Sequence, residues 1–326
     1  MRTSRRPSRQ APATTKNARS TRNTKKKSTR TGRGGSVTTT DPTSVYERVG
    51  DERLTFRCCD TTFVIQSAGF RAGDAARAAR RLAERLEARL DAFDDASGVS
   101  ELNRGGVVED EHVATVVRRG LEYYDRTDGV FDIHQGTVEH ELKAYLRGET
   151  DSLPERFETG TIRIDGDRIV TEVPLDLNGL AKGYVVDRAA AELTGLGRRG
   201  FVSGGGDVSP PTGAVAVESP YGDEKPLRVL DTDWAVATSG SYRRRRGGVD
   251  HVYEPTAERL GARHESVTVL ARRDCMEADA LATTLAALPL DAAVDLAEDW
   301  TGLEALVVHD GVFHETTGFD SHVLDR

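Results

Sequence analysis

Lysine is scarce in this chain. Only Lys143, Lys182 and Lys225 follow position 40, against thirty arginines. Cysteine is scarcer relative to length: Cys58, Cys59 and Cys275, two of them adjacent and none in a CxxC pair. Neither a disulfide framework nor a zinc site is indicated by that spacing. None of the eight histidines falls in an HxxxH or HExxH pair, so a catalytic zinc signature is missing as well. There is no apolar run approaching about eighteen residues, which leaves no candidate spanning helix. No apolar stretch follows Arg5-Arg6, so a twin-arginine export signal does not read through. Cytoplasmic placement is the resulting expectation. There is neither a GxGxxG turn nor a Walker lysine, so a Rossmann or P-loop nucleotide site has no support.

Acidic residues are missing from one region only. Residues 1–40 carry twelve Lys/Arg and no Asp or Glu. With few large apolar side chains, that segment cannot offset its ordering entropy, and a disordered tail is expected. A basic tail can touch nucleic acid or a membrane surface. It has no interleaved aromatics, and no nucleic-acid partner is expected. The remaining 41–326 hold 33 basic and 53 acidic residues, a net charge of −20, and are expected to form one domain. High Asp/Glu, little Lys and abundant Arg point to a protein adapted to high salt, where repulsion is screened.

The pattern within that domain mixes strands and helices. Residues 54–67 read as a strand. The face Ala75, Ala79, Leu82, Leu86, Leu90 and Phe93 predicts a helix over 74–93. A second helix fits 111–125. Residues 161–172 read as a hairpin turning at Asp165-Gly166-Asp167. A helix starts near Gly179 and runs to Leu193. Short strands are predicted at 213–219, 227–231, 234–238 and 266–271. Glu277–Leu288 reads as a helix stopped by Pro289, and Asp291 as the cap of a helix over 292–300. A last hairpin joins 303–308 to 312–315 around Asp310-Gly311. Frequent hairpins argue for an α+β fold with mixed, largely antiparallel sheets and packed helices, not a doubly wound parallel sheet.

Four stretches can carry chemistry, and each has a plain structural alternative. In DLNGLAKG (176–183), Gly179 and Gly183 leave the backbone open, and Lys182 stands at a helix N-terminus that attracts phosphate. The alternative is an ordinary strand-to-helix turn. SGGGD (203–207) is either a phosphate cradle or a flexible turn. In DALAT (279–283), Asp279 and Thr283 are four apart and share a helical face. Together they make a hard oxygen pair suited to Mg²⁺, or else a helix cap and a hydroxyl bonded back to a carbonyl. His251, in HVYEP, is a candidate general base or a structural histidine beside a turn proline.

The ordered set SELN (100–103), DGVFD (128–132), DLNGLAKGYVVD, SGGGD, ATSGSY (237–242), HVYEP and DALAT resembles the ApbE family, the FAD:protein FMN transferases. The resemblance covers about residues 56–320. It implies an ApbE-like, T-fold-like core and a Mg²⁺-dependent transfer of FMN from FAD, the substrate, to a Thr or Ser hydroxyl of a target protein, with AMP leaving. It also implies residue roles. Asp279, Thr283 and the Gly179 carbonyl would ligate Mg²⁺, and His251 would be the base. Cys59, Asn103, Phe131, Asp132, Asp176, Lys182, Ser239 and Tyr253 would line the FAD pocket. This chain departs from the family at Cys59-Asp60-Thr61 (usually MGT), at Asn178 (usually Gly) and at Val252-Tyr253-Glu254-Pro255 (usually IIDP). Hydrolysis of FAD to FMN and AMP, and flavin binding without chemistry, are the competing expectations.

Overall fold

A two-residue turn shapes the first edge of the sheet. The structure, a computed structural model, describes residues 52–223, 225–240 and 246–324. The predicted basic tail and the Ser241-Tyr242 end of ATSGSY lie outside them. Residues 54–67 are not one strand. They split into β1 (Glu52–Cys58) and β2 (Thr61–Ala68), paired antiparallel with Cys58 opposite Thr61. The chain reverses at Cys59 and Asp60, both with positive φ, 51° and 55°. Two left-handed residues make the mirror-image turn whose twist suits a hairpin. Neither residue is glycine, so the sequence carries no strong turn signal there.

Helix α1 (Ala72–Leu90) buries Ala75, Ala79, Leu86 and Leu90 of the predicted face and half-buries Leu82, while Phe93 lies past its end. α2 (Gly98–Gly105) was not predicted. Ser97 caps it by accepting the Ser100 N–H, and Gly106 ends it at φ 71°. β3 (Val107–Glu109) leads to α3 (Glu111–Arg126), capped by Asp110, which accepts from His112 and Val113. α4 (Gly136–Arg147) is a second unpredicted helix. The hairpin β4 (Ile162–Asp165) and β5 (Arg168–Thr171) forms where predicted, and β3 joins it as a third strand.

Next come α5 (Asn178–Gly195), β6 (Arg199–Gly204) and β7 (Asp207–Val208). Of the three glycines of SGGGD, Gly204 ends β6 and the other two are the tight β6–β7 turn, with φ 62° at Gly205 and 113° at Gly206. β8 (Val215–Val217) pairs with β9 (Arg228–Leu230). β10 (Ala235–Gly240), β11 (Tyr253–Glu254), β12 (Arg259–Leu260) and β13 (Ser266–Ala271) follow. α6 (Cys275–Ala287) begins two residues before the predicted start, because Asp274 accepts the Glu277 N–H. α7 (Leu290–Asp299) begins directly after Pro289. Asp291 therefore sits inside its first turn, facing the helix dipole, and does not cap it. β14 (Leu303–His309) and β15 (Val312–Glu315) close the chain as the predicted hairpin.

The main sheet has the order β1-β2-β6-β7-β10-β13-β14-β15, and every neighbouring pair is antiparallel. It is open, not a closed barrel. Helices α1, α5 and α6 pack against it. Alternation along the strands separates two buried faces. Val202, Ala235, Ala237, Val269 and Ala271 join the helices in the larger core. Phe201, Val236 and Leu270 point the other way, into a smaller core closed by Phe319. Among the described residues no helix is long and apolar enough to cross a membrane.

Candidate active site

A cavity of about 690 Å³ opens between the first hairpin, the N-terminal end of α5, β10 and α6. Ten of the eleven side chains expected in the site reach its wall, as does Gly179, which has none. Cys59 enters from the β1–β2 turn, Phe131 and Asp132 from the loop before α4, and Asp176, Gly179 and Lys182 from the start of α5. Ser239 enters from β10, His251 and Tyr253 from the β10–β11 segment, and Asp279 and Thr283 from α6. Asn103 does not reach it. Its amide donates to the Leu175 carbonyl at 3.0 Å and accepts the Leu175 N–H at 2.8 Å. Both ends are spent on backbone, so Asn103 positions the strand-like entry to Asp176.

The glycines of DLNGLAKG serve two different purposes. A Cβ on Gly183 would fall 2.5 Å from the Cys275 carbonyl oxygen and 2.7 Å from the Met276 Cα. Gly183 thus allows α5 and α6 to touch, and the ligand approach expected of it is not its role. A Cβ on Gly179 would meet the Phe131 ring at 3.0 Å, with Thr283 Cγ2 at 3.8 Å. Gly179 therefore sits between the ring and the hydroxyl-bearing face of α6. With the helices this close, Asp279 Oδ2 accepts the Gly183 N–H at 3.0 Å. In an α-helix that N–H belongs to the Gly179 carbonyl, so the carboxylate and the carbonyl lie side by side.

Lys182 completes the cluster. Its ammonium donates to Asp279 Oδ1 at 3.1 Å and to Asp207 Oδ2 at shorter range. Burial opposes the charge, but Asp207 and Asp279 outweigh it and hold Lys182 well above the usual lysine range. Asp207 is fully buried, and burial and then the charge of Asp279 push its carboxyl up to about 8 against the pull of Lys182. Its Oδ1 makes no hydrogen bond among the described residues. Asp207 is the site residue that sequence reasoning missed. It was visible as the end of SGGGD, but only the β6–β7 turn aims it at Lys182.

A second network lines the opposite wall. Tyr253 donates to Asp176 Oδ2, and Asp176 Oδ1 accepts both the backbone N–H and the amide of Asn178, at 2.9 and 2.8 Å. Asn178 also donates to Glu139 Oε1 at 3.0 Å. The Asn that replaces the family's glycine therefore bridges two carboxylates. Burial, then the charge of Asp176, pushes Glu139 up to about 7 although Lys143 stands at 2.7 Å. Burial and Asp176 likewise hold the Tyr253 phenol well above its usual range. Asp132 is fixed by His134 Nδ1 at 2.5 Å and by the Gln135 amide at 2.7 Å.

The donor set around Asp279 suits a hard cation. It comprises a carboxylate, a carbonyl and the Thr283 hydroxyl, all oxygen. Thr283 Oγ1 stands 3.5 Å from Ser239 Oγ, long for a hydroxyl pair, so its lone pairs remain available.

The sequence model of the ApbE family matches residues 59–307. A curated relative from Vibrio cholerae, named a FAD:protein FMN transferase, is 29% identical over 211 residues, 56% of this chain and 63% of the relative. The chain thus matches less than two thirds of that relative's length. The crystal structure of the ApbE protein from Thermotoga maritima superposes with a TM-score of 0.72 at 25% identity, covering 84% of this chain and 99% of that one. The flavin transferase ApbE from Vibrio cholerae superposes at 0.66 with 22% identity, over 83% and 98% of the two chains, and shares the fold. With the family's motifs gathered on one cavity and most of its length matched, this chain belongs to the ApbE family.

Proposed function

We propose that this protein is a Mg²⁺-dependent FAD:protein FMN transferase, an enzyme moving FMN from FAD to a Thr or Ser hydroxyl of a target protein and releasing AMP. The observation that carries the reading is the convergence of Asp279, Thr283 and the Gly179 backbone beside Lys182 at one wall of a cavity of about 690 Å³. That volume falls within the usual range of small-molecule and cofactor sites.

Asp279, Thr283 and the Gly179 carbonyl would hold Mg²⁺, which when bound supplies charge neutralisation at a pyrophosphate. Lys182 keeps the Asp279 carboxylate aimed. His251, on the cavity wall, takes the proton from the acceptor hydroxyl as its oxygen attacks the FMN phosphorus. The bond from that phosphorus to the bridging oxygen breaks, and AMP carries the oxygen away. Phe131, Asp132, Cys59 and Ser239 shape the wall against the dinucleotide. Tyr253 and Asp176 brace each other and so fix the loop carrying His251.

The test is AMP release from FAD by the purified protein, with and without Mg²⁺ and with a Thr-containing acceptor peptide, for wild type and Asp279→Ala. AMP that requires Mg²⁺ and Asp279, together with covalent flavin on the peptide, is the expected result. AMP without flavinylated peptide would make the protein a hydrolase. FAD binding with no AMP under any condition would reduce it to a flavin carrier.

A further inference from the structure

The adjacent cysteines carry no signal of a metal site in the sequence, since neither CxxC nor a histidine pair accompanies them. The fold changes that. Successive residues on a strand point to opposite faces. Cys59 leaves β1 at φ 51°, and the turn swings its side chain back toward Cys58. The two sulfurs stand 3.8 Å apart. From α1, Glu87 reaches the same point, where its Oε1 accepts the Cys59 N–H at 2.5 Å. The ligand atoms of Cys58, Cys59 and Glu87 all lie within 4.8 Å of one another.

We propose that Cys58, Cys59 and Glu87 form a binding site for a thiophilic divalent ion, Zn²⁺, in the wall of the cavity. The sulfur spacing is the first argument. Two thiolates at about 2.3 Å from Zn²⁺ and at the tetrahedral angle are about 3.8 Å apart, the separation already present. A disulfide needs sulfurs at about 2 Å, and the pair is far from that. The ligand set is the second argument. Two sulfurs and a carboxylate suit zinc and exclude Mg²⁺, so this site does not compete for the hard cation at Asp279. Position is the third. Cys58 is 1% exposed and closes the back of the site. Cys59 and Glu87 line the cavity, so the fourth ligand position faces its contents. Binding releases one proton from each thiol to solvent, and no electrons move. The bound ion adds positive charge to the wall and couples to any anion the cavity holds. The inference does not depend on the proposed transferase activity.

The test is a titration of the reduced, metal-free full chain with Cd²⁺, followed by the thiolate-to-cadmium charge-transfer band and then by Zn²⁺ displacement. One ion per chain is expected. Cys58→Ser and Cys59→Ser should each remove the band. Glu87→Gln, in which both cysteines and their packing are kept, should weaken binding at least about tenfold. Cys275→Ser, at a buried thiol elsewhere, should leave the titration unchanged. The absence of a band, its survival in either Cys58→Ser or Cys59→Ser, or full affinity in Glu87→Gln would each overturn the site. So would a wild-type chain that binds no Cd²⁺ but loses two hydrogens in air, which would make the pair a redox device.

Discussion

Lys182→Met tests whether the ammonium is what makes two buried aspartates compatible. Lys182 donates to both Asp207 and Asp279, which are 0% and 4% exposed. Methionine keeps the length and the apolar stem and removes the charge. Removing one partner of a buried ion pair costs about 3–5 kcal/mol, because the remaining charge is stranded. For a domain of this size that is a fall in Tm of roughly 10 °C. The pH dependence sharpens the test. Without the ammonium the Asp207 carboxyl loses the pull of Lys182 and titrates higher still, so the folded variant binds a proton where the wild type does not. Its stability deficit must therefore shrink as pH falls. Thermal melts of both proteins between about pH 10 and about pH 7 read this directly. A Tm change of less than about 3 °C at neutral pH, or a deficit independent of pH, would refute the reasoning.

Gly183→Ala should push α5 away from α6, because its Cβ would lie 2.5 Å from a backbone carbonyl that cannot move alone. A loss of about 1–3 kcal/mol in chemical denaturation is expected. Asn103→Ala should cost about 1–3 kcal/mol by leaving the Leu175 N–H and carbonyl unpaired; if Asn103 instead contacted FAD, the loss would be in FAD affinity at unchanged Tm. Burial raises Asp187 to about 7, helped by Asp274, and raises Glu139 to about 7 and Asp207 to about 8. These folded values lie above the unfolded ones, so the stability they contribute is present at low pH and lost as pH rises through about 7–8. The wild-type Tm should therefore fall between about pH 5 and about pH 8.5, and a rising Tm over that range would contradict the assignment.

Much of this protein is legible locally. The α1 and α3 faces, the strand at 266–271, the last hairpin and the shared face of Asp279 and Thr283 all follow from a period of two or three to four residues. Polar caps such as Asp110 and Asp274 then fix the starts of helices, and the helix that Asp274 caps begins two residues before the expected start. The order of the motifs was enough to expect the ApbE family. α2 and α4 escaped because their starts lie in polar, irregular stretches, and α4 buries the carboxyl of Glu139 where an apolar residue is usual. The hairpin at Cys59-Asp60 escaped because two non-glycine residues adopt a left-handed turn that only the surrounding sheet enforces.

What the sequence alone determined is which chemical groups the chain carries and, for its strongly periodic segments, whether they are helix or strand. Which groups meet was decided by tertiary structure. Lys182 reaches Asp207 and Asp279 across 25 and 97 residues, Asn103 reaches Leu175 across 72, and Cys59 reaches Glu87 across 28. Periodicity reports the face a residue occupies relative to its own element. It carries no information on which other face will be packed against it. That choice is made by close contacts such as Gly183 against Cys275, and those exist only once the sheet and helices have assembled.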